Sequence, residues 1–169
     1  MKQEHFGFVV LALLLIGGLF LARMVGVPGG APAQISDEAV SAGELIISGA
    51  WVAAPVTGQP ATAAYLTIQN NANTDERLTG IATPIAAMSH LHRSVVEDNV
   101  SRMEGIDALI LPANGEVVFA PGGLHIMLMG LDAPLAEGDR VELTLQFLET
   151  GDVMIEAPVR ARDDMMDMN

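Results

Sequence analysis

The chain has 169 residues, with 21 acidic side chains against 8 Lys and Arg and a formal net charge of −13 at pH 7, a length that corresponds to about one domain with appendages. Nucleic-acid binding requires clustered cations, and the arginines beyond the N-terminal segment are scattered, so no nucleic-acid partner is expected. The absence of cysteine excludes disulfides and a blue-copper electron-transfer site, whose metal needs a cysteine thiolate.

An apolar run of seventeen residues, from Phe6 to Ala22, follows the short polar start of the chain. Its length lies between the core of a signal peptide, about 7 to 15 residues, and a membrane span of about 20 residues. A buried core helix is disfavoured because no polar residue interrupts the run at helical spacing. A cleaved export signal is favoured over an inner-membrane anchor at residues 6–22, because the run is short for a span. Both alternatives assign residues 1–33 to an export segment and linker, and place the rest of the chain in the periplasm.

Short β-rich segments alternate with turn signals from Glu44 onward, at intervals of about ten residues and without a helical period. This pattern predicts one all-β domain over residues 34–160, folded as an antiparallel sandwich or barrel. The candidate strands are Leu45–Ala54, Ala61–Gln69, Arg77–Thr83, Ala86–Val96, Val100–Gly105, Glu116–Ala120, Leu124–Leu131, Arg140–Leu148 and Val153–Arg160.

Two candidate strands carry the most informative alternation. Along Arg140–Leu148 apolar and polar residues alternate, which predicts one buried and one solvated face. Leu124–Leu131 is apolar on both faces, so it is predicted to lie centrally in the sheet. Met129 in this strand is assigned to core packing, because a strand methionine most often fills the core.

Four side chains in the middle of the domain form the pattern H-x10-M-x21-H-x-M: His92, Met103, His125 and Met127. Residues i and i+2 of a strand share a face, so the last two can bind one ion together. The first two flank a polar turn at Glu97-Asp98-Asn99, and a hairpin closing there would bring them roughly opposite each other. Imidazole and thioether ligands favour Cu(I) over zinc, calcium or magnesium.

The turn Pro121-Gly122-Gly123 precedes His125 and is expected to place this histidine near a strand end, close to solvent. Such a position suits a site from which metal must leave. Thioethers carry no proton, so only the histidines couple metal affinity to pH. Binding is therefore expected to weaken below about pH 6, where imidazole gains a proton.

These residues and their surroundings resemble the periplasmic copper chaperones known as PCu(A)C proteins. The resemblance covers roughly residues 45–160 and rests on the spacing of the four side chains and on several phrases of sequence. The phrases are Ala50-Trp51, AAYLTIQN (Ala63–Asn70), PGGLHIMLMGL (Pro121–Leu131) and GDRVELTLQFLETG (Gly138–Gly151). The resemblance implies a small cupredoxin-like or immunoglobulin-like Greek-key β-sandwich that binds Cu(I) through the two histidines and two methionines. It also implies delivery of copper to a cuproprotein such as a cytochrome oxidase subunit.

The chain departs from the family pattern at one position. Family members often carry an acidic residue two positions before the first histidine, and this chain has His90 there. Strand alternation puts Met88, His90 and His92 on one face, so His90 and Met88 are candidate additional ligands. The alternatives are a half-exposed strand histidine for His90 and core packing for Met88.

The last nine residues, 161–169, form an acidic tail that ends in Asp163-Asp164-Met165-Met166-Asp167-Met168-Asn169. Short charged termini are typically disordered, and disorder is expected here. The three methionines are candidate additional copper ligands, and a simple solvated tail is the alternative.

Three functions remain open from the sequence. The leading hypothesis is an exported Cu(I) carrier that transfers metal to another cuproprotein. The alternatives are a periplasmic copper-buffering protein without a dedicated recipient, and a metal-free sandwich that serves as an interaction domain. An enzyme is not expected, because nothing in the chain resembles a nucleophile with a positioned base.

Overall fold

A computed structural model describes residues 39–97 and 100–161, and this part of the chain contains strands and no helix. It therefore holds no helix that is long and apolar enough to cross a membrane. The predicted export segment and residues 162–169 of the tail lie outside the described residues. The strands are β1 Val40–Ala42, β2 Leu45–Ala53, β3 Ala61–Asn70, β4 Glu76–Ala82, β5 Ala86–Glu97, β6 Val100–Ile106, β7 Leu109–Leu111, β8 Gly115–Phe119, β9 Leu124–Leu131, β10 Arg140–Phe147 and β11 Gly151–Arg160.

The strands follow one continuous path of hydrogen-bonded neighbours, in the order β6-β5-β9-β3-β2-β11-β10-β4-β7. Strand β1 pairs with β2, and β8 pairs with β3. All the pairings are antiparallel except that of β2 with β11, which run parallel. The predicted all-β, mostly antiparallel fold is confirmed, and β9 lies inside the sheet between β5 and β3, as its two apolar faces predicted.

A single apolar cluster joins the two ends of this path. Alternation in β10 buries Val141, Leu143 and Leu145 completely while Glu142 stays exposed, as the sequence predicted. The same cluster contains Leu91 of β5 and Ile126 of β9 from the other end of the path. Because strands far apart in the order share one core, the sheet curves until its two halves face each other.

The structure corrects the sequence analysis at three places in the fold. Strands β1 and β7 were not predicted, because three residues are too short to show an alternation pattern. The prediction that Met129 packs in the core is wrong. Its side chain is partly exposed on the outer face of β9, since Leu128, its neighbour of opposite parity, points into the core.

Two buried polar side chains fasten the loops at one end of the domain. The amide nitrogen of Asn70 donates to the carbonyl oxygens of Thr74, Leu111 and Pro112 at 3.0, 3.0 and 3.2 Å. The Glu76 carboxylate, 7 % exposed, accepts hydrogen bonds from the backbone of Arg77, Glu149 and Thr150 and from the Thr150 hydroxyl.

The hydrogen bonds to Glu76 determine its charge state. Burial alone raises the pKa of this carboxyl, but the bonds from Arg77, Glu149 and Thr150 outweigh burial and hold the pKa below its ordinary 4.5. The carboxylate therefore stabilises the fold at neutral pH. That contribution is complete above the unfolded pKa and is lost as pH falls through the folded pKa.

Replacing this carboxylate tests the network. Each oxygen of Glu76 accepts two of these hydrogen bonds. Glu76→Gln replaces one oxygen by an NH2 group and removes the acceptor of two donors, so we expect it to lower the free energy of unfolding at pH 7 by about 1–3 kcal/mol. The difference from wild type should shrink at a second, acidic pH below the lowered pKa of Glu76, where the wild-type carboxyl gains a proton. Urea denaturation at both pH values measures it, with the exposed Glu116→Gln of β8 as matched control. Equal losses at both pH values would contradict the assigned role of the charge.

Candidate metal centre

The pairing of β5 with β9 brings most of the predicted ligands onto one face of the sheet. Directly opposite residues are Met88 and Met129, then His90 and Met127, then His92 and His125. Opposed residues of an antiparallel pair share a face, and so do alternate residues along each strand. Met103 of β6 is opposite Ser94, which continues the same face beyond the third pair. We refer to Met88, His90, His92, Met103, His125, Met127 and Met129 as the soft-donor face.

The soft-donor face collects nearly every imidazole and thioether of the described chain. Residues 39–97 and 100–161 contain three histidines, all of which lie on this face. They also contain five methionines, of which Met154 of β11 alone lies elsewhere. The face opposite to it on β5 and β9 contributes Leu91, Ile126 and Leu128 to the core.

His125 is oriented by the turn that precedes β9. Its Nδ1 lies 3.0 Å from the carbonyl oxygen of Gly123, and because a carbonyl only accepts, Nδ1 carries the proton. The same carbonyl accepts the backbone amide of Ser94 at 3.0 Å, which ties β5 to the turn. The lone pair of Nε2 is thereby left for a metal, as in histidine ligands whose other nitrogen is hydrogen-bonded.

The position of His125 confirms one expectation and corrects another. It is the second residue of β9 and so lies at a strand end. The expectation that it lies close to solvent is wrong, because its side chain is only 7 % exposed. The neighbouring strand β5 places the ring of His92 against it, with ring centroids 5.8 Å apart and ring planes at 87°.

His92 contains the one buried side-chain nitrogen or oxygen without a hydrogen-bond partner in the described chain, its Nδ1. A buried polar atom without a partner costs free energy unless another ligand satisfies it. Burial lowers the pKa of His92 below its ordinary 6.5, and the neighbouring His125 and His90 lower it further. His92 is therefore a neutral base at neutral pH, as metal binding requires.

The two sulfur ligands differ in their exposure. Met103 is 66 % exposed on β6, the strand at the edge of the sheet. Met127 is partly buried, with His90 on one neighbouring strand and Ala63 on the other. Met103, His125 and Met127 line a cavity of about 240 Å³ together with Ser94, Tyr65 and Gly122. The structure thus brings three of the four predicted ligands to one cavity, with His92 beside His125.

The relation between His92 and Met103 differs from the prediction. His92 is opposite Gly105, and Met103 is opposite Ser94. The pairing continues to Glu97 and Val100, and these pairs set the register of the hairpin. His92 and Met103 are consequently diagonal neighbours on one face, a separation that long side chains can bridge.

The two candidate additional ligands lie further along the same strand. The exposed His90 has its ring parallel to that of His92, with centroids 6.3 Å apart and planes at 8°. Met88 is 52 % exposed, so the alternative of core packing is wrong for it. Its opposite neighbour Met129, assigned to the core from the sequence, also belongs to this face.

The donor set determines which ions this face can bind. Within residues 39–97 and 100–161, no group of three or more His, Cys, Asp or Glu side chains could hold a metal ion. A site with two imidazoles and two thioethers offers only neutral donors, half of them soft sulfur. Such a set suits a soft monovalent ion, whereas calcium and magnesium require oxygen ligands.

Tyr65 and the neighbouring Trp51 were not singled out as site residues from the sequence. Tyr65 lines the cavity, and its ring centroid lies 4.5 Å from that of Trp51, to which it is opposed across β2 and β3. Alternation along β3 could have indicated Tyr65, because it shares the parity of Ala63, the neighbour of Met127.

The chain is similar to several known proteins. Residues 45–159 match the family described as "Putative lipoprotein LpqE-like". A relative named "Putative lipoprotein Lxx21020", from Leifsonia xyli subsp. xyli, is 32% identical over 143 residues, which cover 82% of this chain and 85% of the relative.

Solved structures of copper-binding domains have a similar fold. The copper-bound PCuAC domain from PmoF2 is 28% identical with a TM-score of 0.64, covering 73% of this chain and 98% of that domain. The solution structure of CuI-DR1885 from Deinococcus radiodurans is 31% identical with a TM-score of 0.56, covering 73% of this chain and 80% of that protein.

The acid–base behaviour of the metal-free protein tests the assigned environment of His92. We expect the imidazole of His92 to titrate with a midpoint below 6.5, because burial and the neighbouring His125 and His90 oppose its protonation. NMR of the histidine ring protons, recorded at pH values above and below 6.5, measures the midpoint, and the spectrum of His92→Ala assigns the signal. A midpoint at or above 6.5 would contradict the buried placement of the ring.

Proposed function

The chain belongs to the LpqE-like family, and on that premise we propose that it is an exported carrier that binds Cu(I) and delivers it to another cuproprotein. The proposed ligands are His92, Met103, His125 and Met127. The observation that carries the proposal is the convergence of imidazole and thioether groups from β5, β6 and β9 on one face of the sheet. The copper-bound PmoF2 domain and CuI-DR1885 have this fold, and their names state that they bind copper.

The ligand chemistry explains why such a site acts as a carrier and not as an enzyme. Neutral thioethers and imidazoles bind Cu(I) without loss of a proton from sulfur, so the metal can enter and leave near neutral pH. A recipient site with thiolate ligands has the higher affinity, because thiolates are anionic as well as soft. The exposed Met103 offers the sulfur through which a recipient can first reach the ion.

Export and delivery complete the proposal. The description of the matching family and the name of the relative from Leifsonia xyli both say lipoprotein, which supports export of this chain. We assign residues 1–33 to the export segment, which is either a cleaved signal or an inner-membrane anchor at residues 6–22. Residues 34–160 form the copper domain in the periplasm, and residues 161–169 form a Met-rich tail. The proposed recipient is the copper site of a cytochrome oxidase subunit.

Loss of two ligands tests the site. We expect wild-type protein to bind one tight equivalent of Cu(I) in competition with a chromogenic chelator under anaerobic conditions. His125→Ala combined with Met127→Ala should abolish this tight equivalent, since it removes both donors that β9 contributes. Met154→Ala changes an exposed methionine on β11, away from the soft-donor face, and serves as the control.

The same experiment defines the outcome that would contradict copper binding. If wild-type protein does not compete with the chelator at all, the alternative of a metal-free interaction domain replaces the proposal. If the double variant retains the tight equivalent while circular dichroism shows an intact fold, copper binds elsewhere and the assignment of ligands is wrong.

Transfer to a recipient separates a carrier from a copper buffer. Mixing the Cu(I)-loaded protein with the apo copper domain of a cytochrome oxidase should move the metal to the oxidase, because its thiolate ligands bind more tightly. Separation of the two proteins followed by metal analysis measures the transfer. Retention of copper by this chain at equilibrium would favour the alternative of a buffering protein.

A further inference from the structure

We propose that the soft-donor face binds a second Cu(I) ion, held by Met88, His90 and Met129. This proposal rests on the proposed function, because it assigns further metal to the same face. It is carried by the register of β5 and β9, which opposes Met88 to Met129 and places His90 in the adjacent cross-strand row.

The spacing of the rows prevents one ion from using all these donors. Residues four apart on a strand are separated by about 13 Å, at about 3.3 Å per residue. The row of Met88 and Met129 is therefore about 13 Å from the row of His92 and His125. Metal–sulfur bonds are only about 2.3 Å long, so a copper ion at the two histidines lies beyond reach of the outer thioethers.

The outer row has the composition of a soft-metal site and not that of a core. Met88 is 52 % exposed and Met129 is partly exposed, although methionine is among the residues most often buried. The opposed residues bring two sulfurs to one side of the sheet, and the exposed His90 lies next to both in the middle row. Two thioethers and an imidazole form a neutral, soft set that selects Cu(I).

The second ion should bind more weakly than the first. The imidazole of His125 is buried and fixed by its bond to Gly123, so it loses little freedom when metal binds. The side chains of Met88 and His90 are exposed, and binding must order them. Met127 is opposite His90 and lies between the two sites, so it offers a sulfur to an ion that moves from one to the other.

Stoichiometry tests the proposal directly. Anaerobic Cu(I) titration against chelators of graded affinity should give two equivalents for wild type, one tight and one weaker. Met88→Leu combined with Met129→Leu removes both sulfurs and preserves apolar volume, and it should leave only the tight equivalent. Met154 is also exposed but lies outside the face, so Met154→Leu should bind as wild type does.

NMR of methyl-labelled methionine, with Ag(I) in place of Cu(I), identifies the sulfurs used by each equivalent. The methyl signals of Met103 and Met127 should shift with the first equivalent, and those of Met88 and Met129 with the second. His90→Ala should weaken the second equivalent much more than the first, which stays tight, and this selective loss separates a ligand role from a structural one.

The outcomes distinguish this proposal from the proposed function. Wild-type protein that binds one equivalent, with Met88 and Met129 signals unmoved, overturns the second site and leaves the carrier function intact. Wild-type protein that binds no Cu(I) overturns both. A weaker equivalent that persists in the Met88→Leu, Met129→Leu variant also overturns the second site, because the ion is then held by other residues.

Discussion

The cross-strand register between β5 and β9 is the constraint on which the candidate metal centre depends. It opposes His92 to His125 and His90 to Met127, and so combines two short stretches of sequence into one surface of soft donors. Because side chains alternate along a strand, a slip of one residue would turn every donor on the slipped strand to the opposite face. The site exists only in this one alignment of the two strands.

The core supplies the force that holds this register. Leu91 and Ile126 are opposed in the same ladder, and both are buried on the face that points away from the donors. Slipping either strand would expose these side chains to water, at a cost of about 1.5–3 kcal/mol for each fully buried aliphatic residue. Packing on one face of the sheet thus determines which side chains meet on the other face. Core residues and metal-binding residues alternate along the sequence of both strands.

This alternation explains which parts were predictable from the sequence. The eight-residue strand β9 and the strand β10 were recognised from their patterns, and the dyad of His125 and Met127 lies on one face because i and i+2 always do. Register was harder to predict, because the offset of Met103 from His92 depends on the length of the hairpin turn. The burial of His125 and the exposure of Met129 depend on neighbouring strands, about which the local pattern contains no information. Three-residue strands such as β7 leave no periodic signal at all.

The position of the site in the sheet divides its ligands into two kinds. The histidines lie on inner parts of the sheet, where His125 is buried and fixed by the Gly123 carbonyl and His92 has a buried nitrogen that lacks a partner. Met103 lies on β6, which has a neighbouring strand on one side only. The thioether of Met103 is therefore mostly exposed. The imidazole of His125 can therefore keep its geometry whether or not metal is present, while the edge sulfur can leave the ion without disturbing the core. A site built in this way exchanges its most accessible ligand first, which is the property that transfer of an ion between two proteins requires.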